Sequence, residues 1–382
     1  MDINNHPKKI QYYSLGSNIA LIFLFLTGTT ILSLSLWSPS YTSYFPFQRE
    51  PSKVLQCQPS NSTTEIETTP KVYDDELELA LAKASVGNNK TVIIAVINRA
   101  YAEQDVKGDT TMLDIFLDSF WLGEETSKLR DNLLVVAVDQ TAYDRCQFLS
   151  LNCFRLETDG VDFRGEKLFM SQEFIKMMWR RTLFLLDVLK RGYSFVFTDM
   201  DVVWLRNPFE RLSKNETEDL QISTDMFFGD PWNKNHLINT GFYYIRSNNK
   251  TIALFDKWYS LKDNSTGLKE QDVLLGLIHG NIIEQLGLKV RFLDTKHFSG
   301  FCQDSKDFRE VTTVHANCCR SITAKVTDLR AVLRDWKRYK KVMSYKRFAN
   351  VNATQNFHWT GHWGCWNSWK VGNKTRVIKK QN

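Results

Sequence analysis

The chain has 382 residues, 43% of them hydrophobic and 24% charged, with 18 glycines and 8 prolines. This composition excludes a collagen, a low-complexity disordered chain and a polytopic membrane protein, and the length allows one large core or two smaller ones. Net charge is +6, from 49 basic and 43 acidic residues, a mild excess that suits phosphorylated or acidic ligands and is no argument for nucleic acid.

In chain order, the first feature is Ile19–Trp37, an apolar run inside a stretch with no charged side chain between Lys9 and Arg49. At ~1.5 Å per residue it nearly spans a hydrocarbon core of ~30 Å. Lys8 and Lys9 precede it and place the N-terminus in the cytosol. The expected layout is a cytosolic tail at 1–17, a transmembrane signal-anchor at 18–37 and everything beyond it in the secretory lumen. A cleaved signal peptide would need a shorter apolar run and a better cleavage site than Ser33-Leu34-Ser35. Seven sequons, at Asn61, Asn89, Asn215, Asn249, Asn264, Asn352 and Asn373, are in keeping with a lumenal body. All seven cysteines lie on that side too, where an oxidising compartment permits pairing and the odd count leaves one over. Cys146 and Cys153 could close a short loop, and Cys57 could cross-link two chains into a homodimer. No cysteine or histidine spacing suits structural zinc.

Residues 38–85 read as a stem, rich in Ser, Thr and Pro before a short helix at Leu77–Ala84. The body is expected over 86–348, followed by a Trp-rich C-terminal extension at 349–382. Thr91–Ile97 (TVIIAVI) and Leu133–Val138 (LLVVAV) are apolar, β-branched runs of the kind that make strands covered on both faces, with a helix around Met112–Leu122 between them. Ser171 is an N-cap for a helix whose apolar face carries Ile175, Met178, Thr182, Leu186 and Leu189 and which ends at Gly192. Tyr193–Thr198 follows as a buried strand. Strands alternating with helices predict an α/β fold with a mainly parallel sheet.

Asp199 and Asp201 leave the C-terminal end of that strand. Ligands of open α/β sheets bind just outside the carboxyl ends of the strands, and in an extended segment both carboxylates project to one side, with Met200 opposite. Two converging carboxylates form an oxygen site for Mn²⁺ or Mg²⁺, which typically bridges a diphosphate. A solvated turn or a structural ion pair is the plainer use of the same spacing.

The segment FVFTDMDVVWLRNPF (Phe195–Phe209) resembles the aspartate motif of the nucleotide-diphospho-sugar transferase domain of glycosyltransferase family 77, abundant in plants. The resemblance runs from about Lys90 to Tyr339. It takes in MMWRRTLFLLDVL (Met177–Leu189), INTGFYYIRSN (Ile238–Asn248), KEQDVL (Lys269–Leu274), VRFLDTKHFSGFC (Val290–Cys302) and VHANCCRS (Val314–Ser321). It implies a GT-A-like, Rossmann-type fold and a Golgi membrane enzyme of single-pass type II topology. Such an enzyme moves a pentose or galactose from a UDP-sugar to a cell-wall glycan or glycoprotein, with retention of configuration. It further implies His315 as a third metal ligand beside Asp199 and Asp201, with Thr198 and Gly241 at the nucleotide sugar. Where the family usually has a small residue between the two aspartates, this chain has Met200.

The remaining candidates are read beside that resemblance. Asn239-Thr240-Gly241 precedes an aromatic strand, where Gly241 lets backbone approach a ligand and Asn239 offers both donor and acceptor to a sugar hydroxyl. Gln271-Asp272 opens an apolar helix; Asp272 could simply cap it, or act with Gln271 at the donor sugar or acceptor hydroxyl. His358 and His362, in HWTGHWGCW, compete with His315, or belong to an acceptor-sugar platform or to packing. Arg180 and Arg181 meet a diphosphate or face solvent. The basic, aromatic stretch Arg334–Arg347 is a solvated helix or a surface for acidic polysaccharide. Two rivals stand beside a retaining transferase. An inverting enzyme would use Asp230 or Asp272 as base; a catalytically inactive lumenal glycan-binding scaffold would partner active transferases.

Overall fold

The computed structural model describes residues 75–85, 90–103, 110–158, 160–167, 169–349 and 357–378. The expected cytosolic tail, the signal-anchor at 18–37, the stem as far as residue 74 and Cys57 lie outside the described residues. Among the described residues no helix is long and apolar enough to cross a membrane.

The sheet has seven strands in the order β3-β2-β1-β4-β7-β6-β8. In sequence these are β1 (Thr91–Ile97), β2 (Leu133–Ala137), β3 (Asn152–Arg155), β4 (Ser194–Thr198), β6 (Leu220–Met226), β7 (Leu237–Ile245) and β8 (Val290–Phe292). All pairings are parallel except those that β7 makes with β4 and β6, so β7 alone runs against the rest. A smaller sheet, β5-β10-β9, is built from Val202–Trp204, Thr313–His315 and Phe298–Gly300.

The apolar runs are continuous because each side of the large sheet is covered. Val92 and Ile94 of β1, Leu134 and Val136 of β2, and Phe195 and Phe197 of β4 enter one core. Their alternate neighbours Ile93, Ala95, Leu133, Val135 and Val196 enter the other. The first core is roofed by α1 (Glu76–Ala84) and by the long helix Gln172–Lys190. Ser171 caps that helix by accepting from Phe174 N. Leu77, Leu81 and Ala84 are buried, so the helix at the end of the expected stem is packed into the body. The second core receives Met112–Leu122 and the helix Ile322–Ala349. In that last helix Trp336 and Tyr339, which the sequence showed only as aromatics among charges, are buried in the core, and the Trp336 indole donates to Leu122 O at 3.1 Å.

Three disulfides occur among the described residues: Cys146–Cys153, which closes the short loop anticipated, Cys302–Cys318 and Cys319–Cys365. The adjacent Cys318 and Cys319 thus take different partners. Cys319–Cys365 ties the Trp-rich extension to the body, and Trp359 stacks on Phe308 with centroids 3.7 Å apart. The sequon residues Asn215, Asn249 and Asn264 are exposed. Phe195 has no exposed surface. Phe195→Ala is therefore expected to cost about 3–5 kcal/mol, read from the denaturant midpoint with the disulfides intact.

Candidate active site

A cavity of about 300 Å³ opens at the carboxyl ends of β1 and β4 and is lined by Asp199, Asp201, Asn239, Gln271 and His315 among others. The chain does not run extended through the aspartate pair. It turns across Asp199–Val202, with Val202 N donating to Asp199 O at 3.2 Å, before β5 begins. The turn, rather than strand alternation, brings the two carboxylates together, and Met200 is buried in the core. β5 then pairs antiparallel with β10, with Val202 opposite His315, so Asp201 and His315 come to adjoin although 114 positions separate them. His315 Nε2 lies 3.3 Å from Asp201 Oδ1. One ligand atom from each of Asp199, Asp201 and His315 falls within 4.8 Å of the others.

Gly241 backs this cluster. Its carbonyl accepts from Asp199 N at 2.6 Å, and a Cβ there would collide with His315 Cε1 and sit 2.7 Å from Asp199 Oδ2. Asn239, Thr240 and Gly241 are not a loop before the aromatic strand, as the sequence suggested, but part of β7. Between Asn239 and Tyr243 the ladder to β6 shifts register, because their partners Ser223 and Ile222 are consecutive. The shift turns Asn239 into the cavity, where its Nδ2 donates to Asp225 Oδ1 and its Oδ1 accepts from Gly241 N, both at 2.7 Å.

The carboxylates are neutralised by two buried cations. Arg181, on the apolar stripe of its helix, donates from Nη1 to Asp199 Oδ1 at 2.8 Å and from Nη2 to Glu270 Oε1 at 2.7 Å. Burial opposes the guanidinium's charge, but Asp199 and Glu270 outweigh it and raise its affinity for the proton. Lys325, in the first turn of Ile322–Ala349, lies 2.7 Å from Asp201 Oδ2, within ion-pair range. It is off hydrogen-bond alignment, so that buried oxygen has no aligned donor. Burial favours the neutral acid at Asp201, yet Lys325 and His315 hold its carboxyl well below the ordinary range. Asp199 goes the other way: burial and the neighbouring Asp201 push it up, against the pull of Arg181. Tyr101, also on the cavity wall, is pushed up to about 12 by burial.

These residues fit a divalent cation. Two carboxylates and an imidazole are the oxygen and nitrogen donors that Mn²⁺ and Mg²⁺ accept, and the unaligned Asp201 oxygen is a free donor atom among them.

Gln271 also reaches the cavity, its Oε1 accepting from Thr240 N at 3.0 Å. The other candidates are placed elsewhere. Thr198 is fully buried behind the pair, its hydroxyl accepting from the Trp204 indole at 3.3 Å, so it supports the turn and has no face on the cavity. Asp272 sits one residue beyond the cavity-lining Lys269, Glu270 and Gln271, half-buried, with burial pushing its carboxyl up. Asp230 is exposed, and its carboxylate accepts from Trp232 N. His358 is exposed; His362 stacks on Phe301 and contacts Asp304, away from the aspartate pair.

Residues 128–329 match the nucleotide-diphospho-sugar transferase family. The chain belongs to that family. It is a plant-type, nucleotide-sugar-dependent glycosyltransferase. An uncharacterised Arabidopsis thaliana protein is 57% identical over 307 residues, 80% of this chain and 87% of that one. More distant Arabidopsis relatives include UDP-D-xylose:L-fucose alpha-1,3-D-xylosyltransferase 3, 25% identical over 64% of this chain and 59% of that one, and beta-arabinofuranosyltransferase RAY1, 28% identical over 61% and 43%. The transferase thus spans well under two thirds of these two. Likeness to solved structures is loose: mouse xyloside xylosyltransferase 1 has a TM-score of 0.38 at 13% identity, covering 60% of this chain and 98% of that one.

Sequence reasoning left Arg181 undecided and did not single out Glu270, Asp225, Asn317 or Lys325. Arg181 did leave a signal: it falls beside Met178 and Thr182 on the helix's apolar stripe, where a charge needs a buried partner. Lys325 left none.

Two predictions follow from this geometry in the transferase. Gly241→Ala should abolish Mn²⁺ binding measured by electron paramagnetic resonance while the circular dichroism spectrum is kept. Arg181→Met should destabilise by about 3–5 kcal/mol, because Glu270 is left buried and unpaired. Adding Glu270→Gln should recover part of that loss in a double-mutant cycle.

Proposed function

We propose that the chain transfers a pentose or galactose from a UDP-sugar to a plant glycan or glycoprotein hydroxyl, with retention, in a Mn²⁺- or Mg²⁺-dependent reaction. The observation that carries this reading is the convergence of Asp199, Asp201 and His315 at the floor of a cavity at the carboxyl ends of the strands. The names of the xylosyl- and arabinofuranosyltransferase relatives support a pentose donor.

Asp199, Asp201 and His315 would hold the cation, which when bound takes up charge developing on the departing diphosphate. Lys325, two to three ångströms from Asp201, is the fixed positive group available to a phosphate oxygen once a cation shares that carboxylate. Asn239 and Gln271 present amides to the donor sugar's hydroxyls, each held by the backbone of β7. In the transfer the anomeric carbon–phosphate oxygen bond breaks, the acceptor oxygen bonds to that carbon, and the acceptor proton passes to the departing phosphate oxygen. Retention has the acceptor enter on the leaving group's face, and the neutral Gln271 amide beside the sugar suits a route without a protein nucleophile.

One observation keeps the inverting reading in play. Asp225 lines the cavity with Oδ1 fixed by Asn239 Nδ2 and Asn317 Nδ2, both at 2.7 Å, a held carboxylate able to take a proton. It replaces Asp230 and Asp272 as the base that reading requires. Anchorage in the Golgi membrane through 18–37, with the body lumenal, completes the proposal. Its support is the charge pattern around that segment, three disulfides and three exposed sequons.

Asp201→Ala should reduce Mn²⁺-dependent hydrolysis of a UDP-pentose at least a thousandfold, with chelator producing the same loss in the wild type. Activity within tenfold of wild type would refute the metal reading. The anomeric proton of the product, observed by NMR, decides between retention and inversion.

A further inference from the structure

Beyond the cavity lies a second depression of about 490 Å³, lined by Phe301, Cys318, His362, Trp363, Trp366 and Trp369. Cys318 and Trp369 line both, so the two depressions adjoin. Three indoles are presented to solvent here: Trp363 is 62% exposed, Trp366 58% and Trp369 38%. So much aromatic surface left open in one place marks a contact site.

The wall is fixed in place. Cys319–Cys365 and Cys302–Cys318 bind its two sides to the body, and Cys365 is buried. The Trp369 indole donates to Cys318 O at 2.6 Å, and His362 stacks on Phe301 with centroids 3.6 Å apart. Trp363 and Trp366 meet edge to face at 5.5 Å. Arg320 lies over the Trp369 ring at 3.8 Å and Lys370 over Trp366 at 4.1 Å, which orients the rings and sets donors along the rim.

We propose that this groove is the subsite for the acceptor's saccharide chain, seating the units beyond the one that receives the sugar. The assignment rests on the transferase reading above. A sugar ring offers an apolar C–H face to an aromatic plane and hydroxyls to surrounding donors, and a rigid indole binds it with little loss of conformational freedom. Adjacency to the cavity selects this occupant: Trp369 lies on the boundary of both depressions, so a chain whose terminal hydroxyl reaches the donor has this groove directly beside its exit. A membrane surface would also accept tryptophans edged by cations, but it cannot follow a concave path into the cavity.

The test uses the full chain with disulfides intact and the double variant Trp363→Ala/Trp366→Ala, which touches neither the metal cluster nor the donor amides. Pectin and arabinogalactan oligosaccharides of one to six units are titrated by calorimetry, with UDP in parallel. Wild-type affinity should rise with chain length. The variant should bind the longer oligosaccharides about tenfold more weakly, with monosaccharide and UDP binding unchanged. Equal loss at every length, no loss, or no length dependence in the wild type overturns the assignment. So does tryptophan-dependent sedimentation with phosphatidylcholine/phosphatidylserine vesicles that oligosaccharide fails to reduce, or a dimer present only in the wild type. Absent Mn²⁺-dependent UDP-sugar hydrolysis would count against the transferase reading alone, because the length series measures binding.

Discussion

The cavity is organised around negative charge that has been taken out of water. Asp201 and Glu270 are almost fully buried and Asp199 opens only to the cavity. Carboxylates so placed are costly unless they are paired. Arg181 bridges Asp199 and Glu270, and Lys325 pairs with Asp201. Three anions against two cations leave one negative charge over while His315 is neutral. Burial, and after it the neighbouring Asp201, raises the proton affinity of Asp199 against the pull of Arg181. A divalent cation held by Asp199, Asp201 and His315 would relieve the surplus negative charge.

Secondary structure supplies the convergence. The strand β4 delivers Asp199, the turn presents Asp201, and the pairing of β5 with β10 carries in His315 from far along the chain. The antiparallel strand β7 contributes twice: its register shift exposes Asn239, and Gly241 leaves room for the imidazole. The buried Trp258 joins this to the core, its indole donating to Glu270 O at 2.7 Å. Packing far from the cavity is thereby coupled to the position of Arg181's partner.

Local patterns predicted the elements well because those elements are locally determined. Thr91–Ile97 occupies the residues that its continuous β-branched run marked out, and the helix Gln172–Lys190 starts after the N-cap read at Ser171. The aspartate pair was readable from its place after a buried strand, although it converges through a turn that no alternation rule describes. Thr198 and Asp272 show that adjacency to a motif does not say which way a side chain points. Thr198 faces inward, and the cavity-facing carboxylate of KEQD is Glu270. Lys325 and Asp225 join the site through tertiary packing alone, and single-residue patterns carry no trace of that. Of the interleaved aromatics of Arg334–Arg347, Trp336 and Tyr339 are core while Tyr345 is exposed, because the 3.6-residue period places Leu329, Val332, Leu333 and Trp336 on one face.

The two adjoining depressions differ in kind. Around Asp199 and Asp201 the walls are charged, buried and joined by ion pairs; around Trp363 and Trp366 they are aromatic and open. A reaction in which the leaving group gains charge and the acceptor is a neutral polyol asks for that division. Preorganised charge stabilises the departing diphosphate only where water is excluded, whereas a saccharide chain is bound through ring faces that lose little by remaining at the surface. Two of the three disulfides among the described residues fall on the aromatic side, Cys319–Cys365 and Cys302–Cys318. An open aromatic wall lacks a core of its own to hold it, so covalent links replace burial as the source of its rigidity.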